Sequence, residues 1–145
     1  MIRTIKILKK KYVKFDKLSS KQIEEREQEW FERFVPDEKQ ARAIECYCFP
    51  RDGYSGYLWH VFSYELLPYL KMGDARNAFK DVDRHEAILL SNWDGTGFII
   101  HDASLLSDED IDEMEDVIIT DIDYHWTYIK THESNLGPYF YPINQ

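Results

Sequence analysis

Two cysteines in 145 residues exclude a disulfide-stapled fold. Cys46 and Cys48 are two apart, so they form no C-x-x-C redox or zinc half-site. On a strand they would share a face, with Cα atoms near the upper limit for a disulfide. Two buried free thiols in a reducing cytoplasm are expected. No apolar run reaches the roughly 18 residues of a membrane span. The basic stretch from Met1 to Lys17 has neither an uninterrupted apolar core nor a small-residue cleavage site, so it does not read as a secretory signal. Six Gly and five Pro are scattered as turn punctuation, with no linker, repeat or low-complexity segment.

Catalytic signatures are scarce too. There is no G-x-S-x-G, P-loop or Rossmann glycine pattern. His60, His85, His101, His125 and His132 include no i,i+4 pair, so there is no H-E-x-x-H helix. Asp108, Asp110 and Asp112 imitate the start of a calcium loop. Glu113 stands where its sharp turn needs Gly, and Ile119 where its last ligand should be Glu. No metal, no cofactor and no catalytic residue is therefore assigned. A dispersed site drawn from His60, His101, His132 and Glu133 would need the fold to bring those side chains together.

Positive charge is nearly missing from the second half. Residues 1–84 carry 17 basic and 14 acidic side chains; residues 85–145 carry Lys130 alone against 13 acids. The run Ser107–Asp123 holds nine acids and no base. A net charge of −9 argues against duplex nucleic acid, whose phosphates need concentrated Lys and Arg. Charge runs are usually solvated faces, but Asp108, Asp112, Glu113 and Asp116 are the candidate surface for a basic protein partner.

What is abundant is aromatic: 4 Trp, 10 Tyr and 8 Phe. Hydrophobic content of 43% is that of a folded chain. Residues 1–145 read as a single domain, with a basic segment at 1–18 and a Pro/aromatic tail at 136–145. Ser19 and Gln22 form a capping box, and Leu18 and Ile23 a hydrophobic staple. The helix they start runs to about Phe34, and Pro36 ends it. Asp37 is expected to cap a short helix, and Asp74 another. Tyr57–Tyr64 reads as a strand. Ala87–Trp93 and Phe98–Asp102 flank Asp94-Gly95-Thr96-Gly97 as a hairpin. Ser107 and Asp110 box another helix, whose acidic first turn suits the helix dipole. Val117–Ile122 and His125–Thr131 are two further strands. The tail, with Gly137, Pro138 and Pro142, reads as a folded loop. The expected class is α+β: an antiparallel or mixed sheet of about five strands, with about four helices packed mainly on one side.

Two segments combine aromatic and polar groups: Leu58-Trp59-His60-Val61-Phe62-Ser63-Tyr64-Glu65, and Trp126-Thr127-Tyr128 leading through Thr131-His132-Glu133 to Gly137-Pro138-Tyr139-Phe140. Such residues offer rigid area with polar tips, suited equally to a core or to a recognition surface. In these segments the chain resembles a family of short bacterial proteins known as domain of unknown function 4275. The resemblance spans most of the chain and implies a compact cytoplasmic protein. It brings no activity and no residue roles.

Trp59, His60, Tyr64, Trp126, Tyr128, His132, Glu133 and Tyr139 are thus the candidate pocket or binding residues. Two functions follow from the sequence. The first is a non-catalytic protein-interaction domain of regulatory or toxin-neutralising type, meeting a basic partner. The second is a small enzyme or ligand-binding domain with His60, His132 and Glu133 in one pocket. A homodimer through an exposed strand or aromatic patch is a third arrangement. No membrane association is expected.

Overall fold

The computed structural model describes residues 2–53, 56–91, 95–132 and 137–143. Seven strands form one sheet: β1 (Phe15–Lys17), β2 (Leu70–Lys71), β3 (Ala87–Ser91), β4 (Thr96–Ile100), β5 (Val117–Asp121), β6 (Trp126–Lys130) and β7 (Tyr139–Pro142). Their order is β1-β4-β3-β5-β6-β7-β2, and every neighbouring pair is antiparallel. The helices are α1 (Ile2–Lys10), α2 (Ser20–Phe34), α3 (Asp37–Glu45), α4 (His60–Ser63), α5 (Gly73–Asp81) and α6 (Asp108–Asp112). The class is α+β, as the hairpin pattern predicts, with seven strands in place of about five.

The helices divide between the two faces instead of gathering mainly on one. β3 shows why. Ala87 and Leu89 join a core with Leu8 of α1, Phe79 of α5 and Ile111 of α6. Ile88 and Leu90 join a second core with Trp30 and Phe34 of α2, Ala43 of α3 and Phe62 of α4. All five residues of β3 are buried. A strand apolar at consecutive positions has no face to show water, so both sides need cover.

Both predicted capping boxes are present. Ser19 Oγ accepts from the Gln22 N–H while Gln22 Oε1 accepts from the Ser19 N–H. Ser107 and Asp110 make the same reciprocal pair. Asp37 and Asp74 do not act as caps: they lie inside the first turns of α3 and α5, behind Pro36 and Met72. Three further readings change. The basic N-terminal segment, given no element from sequence, holds α1 and, after a turn, β1. The tail is a true strand, β7, entered through a cis Gly137–Pro138 bond.

The third change matters most. Tyr57–Tyr64 is not a strand but a turn leading into α4. Leu58, Trp59, Val61 and Phe62 are all buried, at spacings of i, i+1, i+3 and i+4. That is helical periodicity; alternation would have exposed every second residue.

Gly97 allows α2 to lie close over β4. A Cβ there would stand 3.0 Å from both Ile23 Cγ1 and Leu90 Cδ2.

Cys46 and Cys48 are free and buried, as expected. Burial, then the neighbouring Cys46, pushes the Cys48 thiol up to about 12. Thiolate is the reactive form. Ellman's reagent at pH 8 is therefore expected to label neither cysteine in the native chain and both in denaturant. Rapid native labelling would contradict the packing described.

Candidate functional site

Trp59 and His60 sit at the start of α4, and their rings are 4.3 Å apart. His132 follows the end of β6, on the neighbouring part of the molecule. Its ring centre lies 6.0 Å from that of Trp59 and 5.6 Å from that of Tyr57. Tyr57 stacks on Trp59 at 5.4 Å and touches His60 at 5.8 Å. Tyr64 closes α4, half exposed, with its ring 5.5 Å from that of His60. His60 Nδ1 is 3.0 Å from Ser63 Oγ. Trp59, His60, Tyr64 and His132 thus converge on one cluster, with Tyr57 added. Glu133 lies outside the described residues.

The remaining candidates separate. Trp126 and Tyr128 point to the opposite face of the sheet. There Tyr128 stacks on Phe79 at 4.3 Å, and Trp126 on Phe140 at 6.1 Å. Burial raises the Tyr128 phenol, and its hydroxyl has no hydrogen-bond partner among the described residues. Tyr139 is buried beneath the cluster, stacked on Phe62 at 5.5 Å. His101 belongs elsewhere: β3 and β5 separate β4 from β6, and His101 pairs with Asp16 at 2.8 Å.

Asp116 gives the cluster its chemistry. Its side chain is 1% exposed, and Oδ2 lies 2.6 Å from His132 Nδ1. An ionised carboxylate can only accept, so this contact puts the proton on Nδ1 and leaves Nε2 the basic nitrogen. The His132 side chain keeps 32% of its surface exposed. Asp116 Oδ1 and Trp59 Nε1 are buried with no hydrogen-bond partner among the described residues. Buried polar atoms without partners are rare and mark strain, function or a bound group.

Asp116 was legible only as one acid in a run, and strand register does not announce the pair. Val117 pairs with Lys130, so the same register continued sets Asp116 opposite Thr131 and Glu115 opposite His132; the contact forms where the chain has left β6.

The four acids proposed as a partner surface do not form one together. Asp108 and Asp116 are buried. Arg76 Nη1 reaches Asp112 at 2.6 Å and Asp108 at 3.3 Å. Glu113 alone of the four is exposed and outside these ion pairs. Bases from the first half of the chain supply the missing positive charge: Lys11 pairs with Asp110 at 3.3 Å and Arg3 with Glu115 at 3.2 Å.

Among the described residues, no group of three His, Cys, Asp or Glu side chains is arranged to hold a metal ion. No helix is long and apolar enough to cross a membrane.

A family model spans residues 2–140. The chain belongs to the family described as Domain of unknown function (DUF4275). The match covers α1 through β7 up to Phe140, so it takes in both the α4 segment and His132. Neither the comparison with curated proteins nor that with solved structures returns a match. The family therefore contributes a fold boundary and no chemistry, and the reading of the site rests on its geometry.

Proposed function

We propose that the chain is a small enzyme whose general base is His132, held and polarised by Asp116 beside Trp59 and His60. One observation carries this reading: a carboxylate 1% exposed is spent on orienting an imidazole that itself reaches solvent. A purely structural pair would gain nothing from leaving the base partly open. A buried acceptor on Nδ1–H fixes the tautomer and supports positive charge when Nε2 takes a proton. His60, its ring 4.3 Å from that of Trp59, is a second titratable group in the cluster. Two free, buried thiols support a reducing, cytoplasmic setting.

Hydrolysis of p-nitrophenyl acetate tests the base without knowledge of the natural substrate. In this reaction Nε2 removes a proton from water as the oxygen attacks the acyl carbon. The tetrahedral intermediate then expels p-nitrophenolate, and the imidazolium passes its proton to bulk water. The native chain is expected to exceed His132→Gln by about 100-fold, the scale of positioned general-base catalysis. Asp116→Asn should lose most of that gain, while His85→Gln and His125→Gln lose none. Melting curves confirm that the variants compared are folded. A native rate equal to that of His132→Gln overturns the proposal.

A second reading, the non-catalytic interaction domain, is favoured by Tyr64, which is 49% exposed beside His60 and could anchor a partner. On that reading Tyr64→Ala weakens capture of a protein partner, and His132→Gln affects no turnover.

A further inference from the structure

A cavity of about 450 Å³, with His132 not among its lining residues, lies between α2, the loop after α3, and the β3–β4 hairpin. That volume falls within the range of small-ligand sites. Ile23, Phe49 and Leu90 form its apolar walls. Phe49 is held in place by Phe31, edge to face at 5.0 Å. Gly97 lets Ile23 settle against Leu90 at the base of α2.

Among the described residues, the charged lining is all acidic and lies on α2. Glu24 and Glu27 stand one helical turn apart on the cavity wall, with Gln28 next to them. Among the described residues, no Lys, Arg or His nitrogen lies within 4.0 Å of either carboxylate. The nearby Arg26 is engaged with Glu29 at 3.6 Å and with the Tyr124 hydroxyl. Burial, then the charge of Glu24, raises the Glu27 carboxyl. Cys48 also lines the cavity, but its buried thiol is no nucleophile.

We propose that this cavity binds a small organic cation: a primary ammonium on an apolar, ring-sized body. The body fits the Ile23–Phe49–Leu90 walls, and the ammonium meets Glu27 and Glu24. An anion is excluded by the carboxylates. A neutral apolar molecule would leave Glu27 partly desolvated and uncompensated. The site is independent of the His132 reading.

Isothermal titration of the full chain with phenethylamine tests it. 2-Phenylethanol has the same shape without the charge. The amine is expected to bind at least about tenfold more tightly, the worth of one charge-assisted hydrogen bond. Glu27→Gln should lose that factor for the amine and nothing for the alcohol. This variant should melt no lower than the native chain, because it removes a partly buried charge facing a like charge. Equal affinity for amine and alcohol overturns the proposal, as does a lack of saturation by amine at about 10 mM, far above any useful affinity. A lysine-containing peptide that binds more tightly than the free amine also overturns it, because the occupant is then a protein side chain.

Discussion

Trp30→Ala is expected to destabilise the chain by about 3–5 kcal/mol, the range for deleting a large aromatic from a packed core. Trp30 is 1% exposed and joins three elements. Its ring lies 5.2 Å from that of Phe34 on α2 and 6.4 Å from that of Phe62 on α4. Its indole N–H donates to Thr127 Oγ1 on β6 at 3.0 Å, and Thr127 Oγ1 is 2.8 Å from Thr120 Oγ1 on β5. Alanine removes the volume but strands no polar group, since the two threonines still bond each other. Thr127→Val does the reverse: it keeps the volume and leaves the buried indole N–H unpaired, at about 1–3 kcal/mol. Urea unfolding measures both. The midpoint should fall further for Trp30→Ala, with little change in slope. A loss below about 1 kcal/mol, the ordinary scale of a single mutation, would mean α2 is not seated on the sheet as described.

The parts of this fold that sequence displays are local. Capping boxes at Ser19 and Ser107 need only residues three apart, and both are present. The continuous apolar run at Ala87–Leu90 also implied burial on both faces, but read as one half of a hairpin it suggested helices mainly on one side. Tyr57–Tyr64 shows a different failure. A segment of eight residues fits both a period of 2 and a period of 3.6 until tertiary burial decides. Burial of adjacent Trp59 and Leu58 decided for a turn and helix. β7 was hidden because Gly137, Pro138 and Pro142 mark loops by local preference. The strand survives by holding the prolines to its entrance and its end.

The candidate site was half legible. Trp59, His60, Tyr64 and His132 stood out because aromatic and titratable groups are adjacent in sequence. Their convergence depends on α4 lying against the end of β6, which no local rule specifies. Trp126 and Tyr128 share a segment with His132, yet they sit on the opposite face, in the other core. Asp116 was read by charge alone, and its partner is 16 residues away.

The same limit governs the acidic second half, and Arg76→Met exposes it. This substitution is expected to cost about 3 kcal/mol, the low end for leaving a buried charge without its partner. Asp108 has a side chain only 7% exposed, and Arg76 holds it together with Asp112. Lys80, more than half exposed, lies 3.8 Å from Asp108, and Arg84 is close enough to feel its charge. Arg42→Met is the control. Arg42 and Glu45 pair at 3.4 Å with both side chains largely in water, so its loss should stay within about 0.5 kcal/mol. Adding Asp108→Asn to Arg76→Met should recover part of the loss, because the uncompensated charge is then gone. The chain segregates its charges in sequence and mixes them in space: α1, Lys11 just after it, and α5 carry the bases that answer Asp108, Asp110, Asp112 and Glu115. If Arg76→Met costs no more than Arg42→Met, those acids are a solvated face after all. A basic partner then becomes the expected occupant of the surface around Asp112 and Glu113.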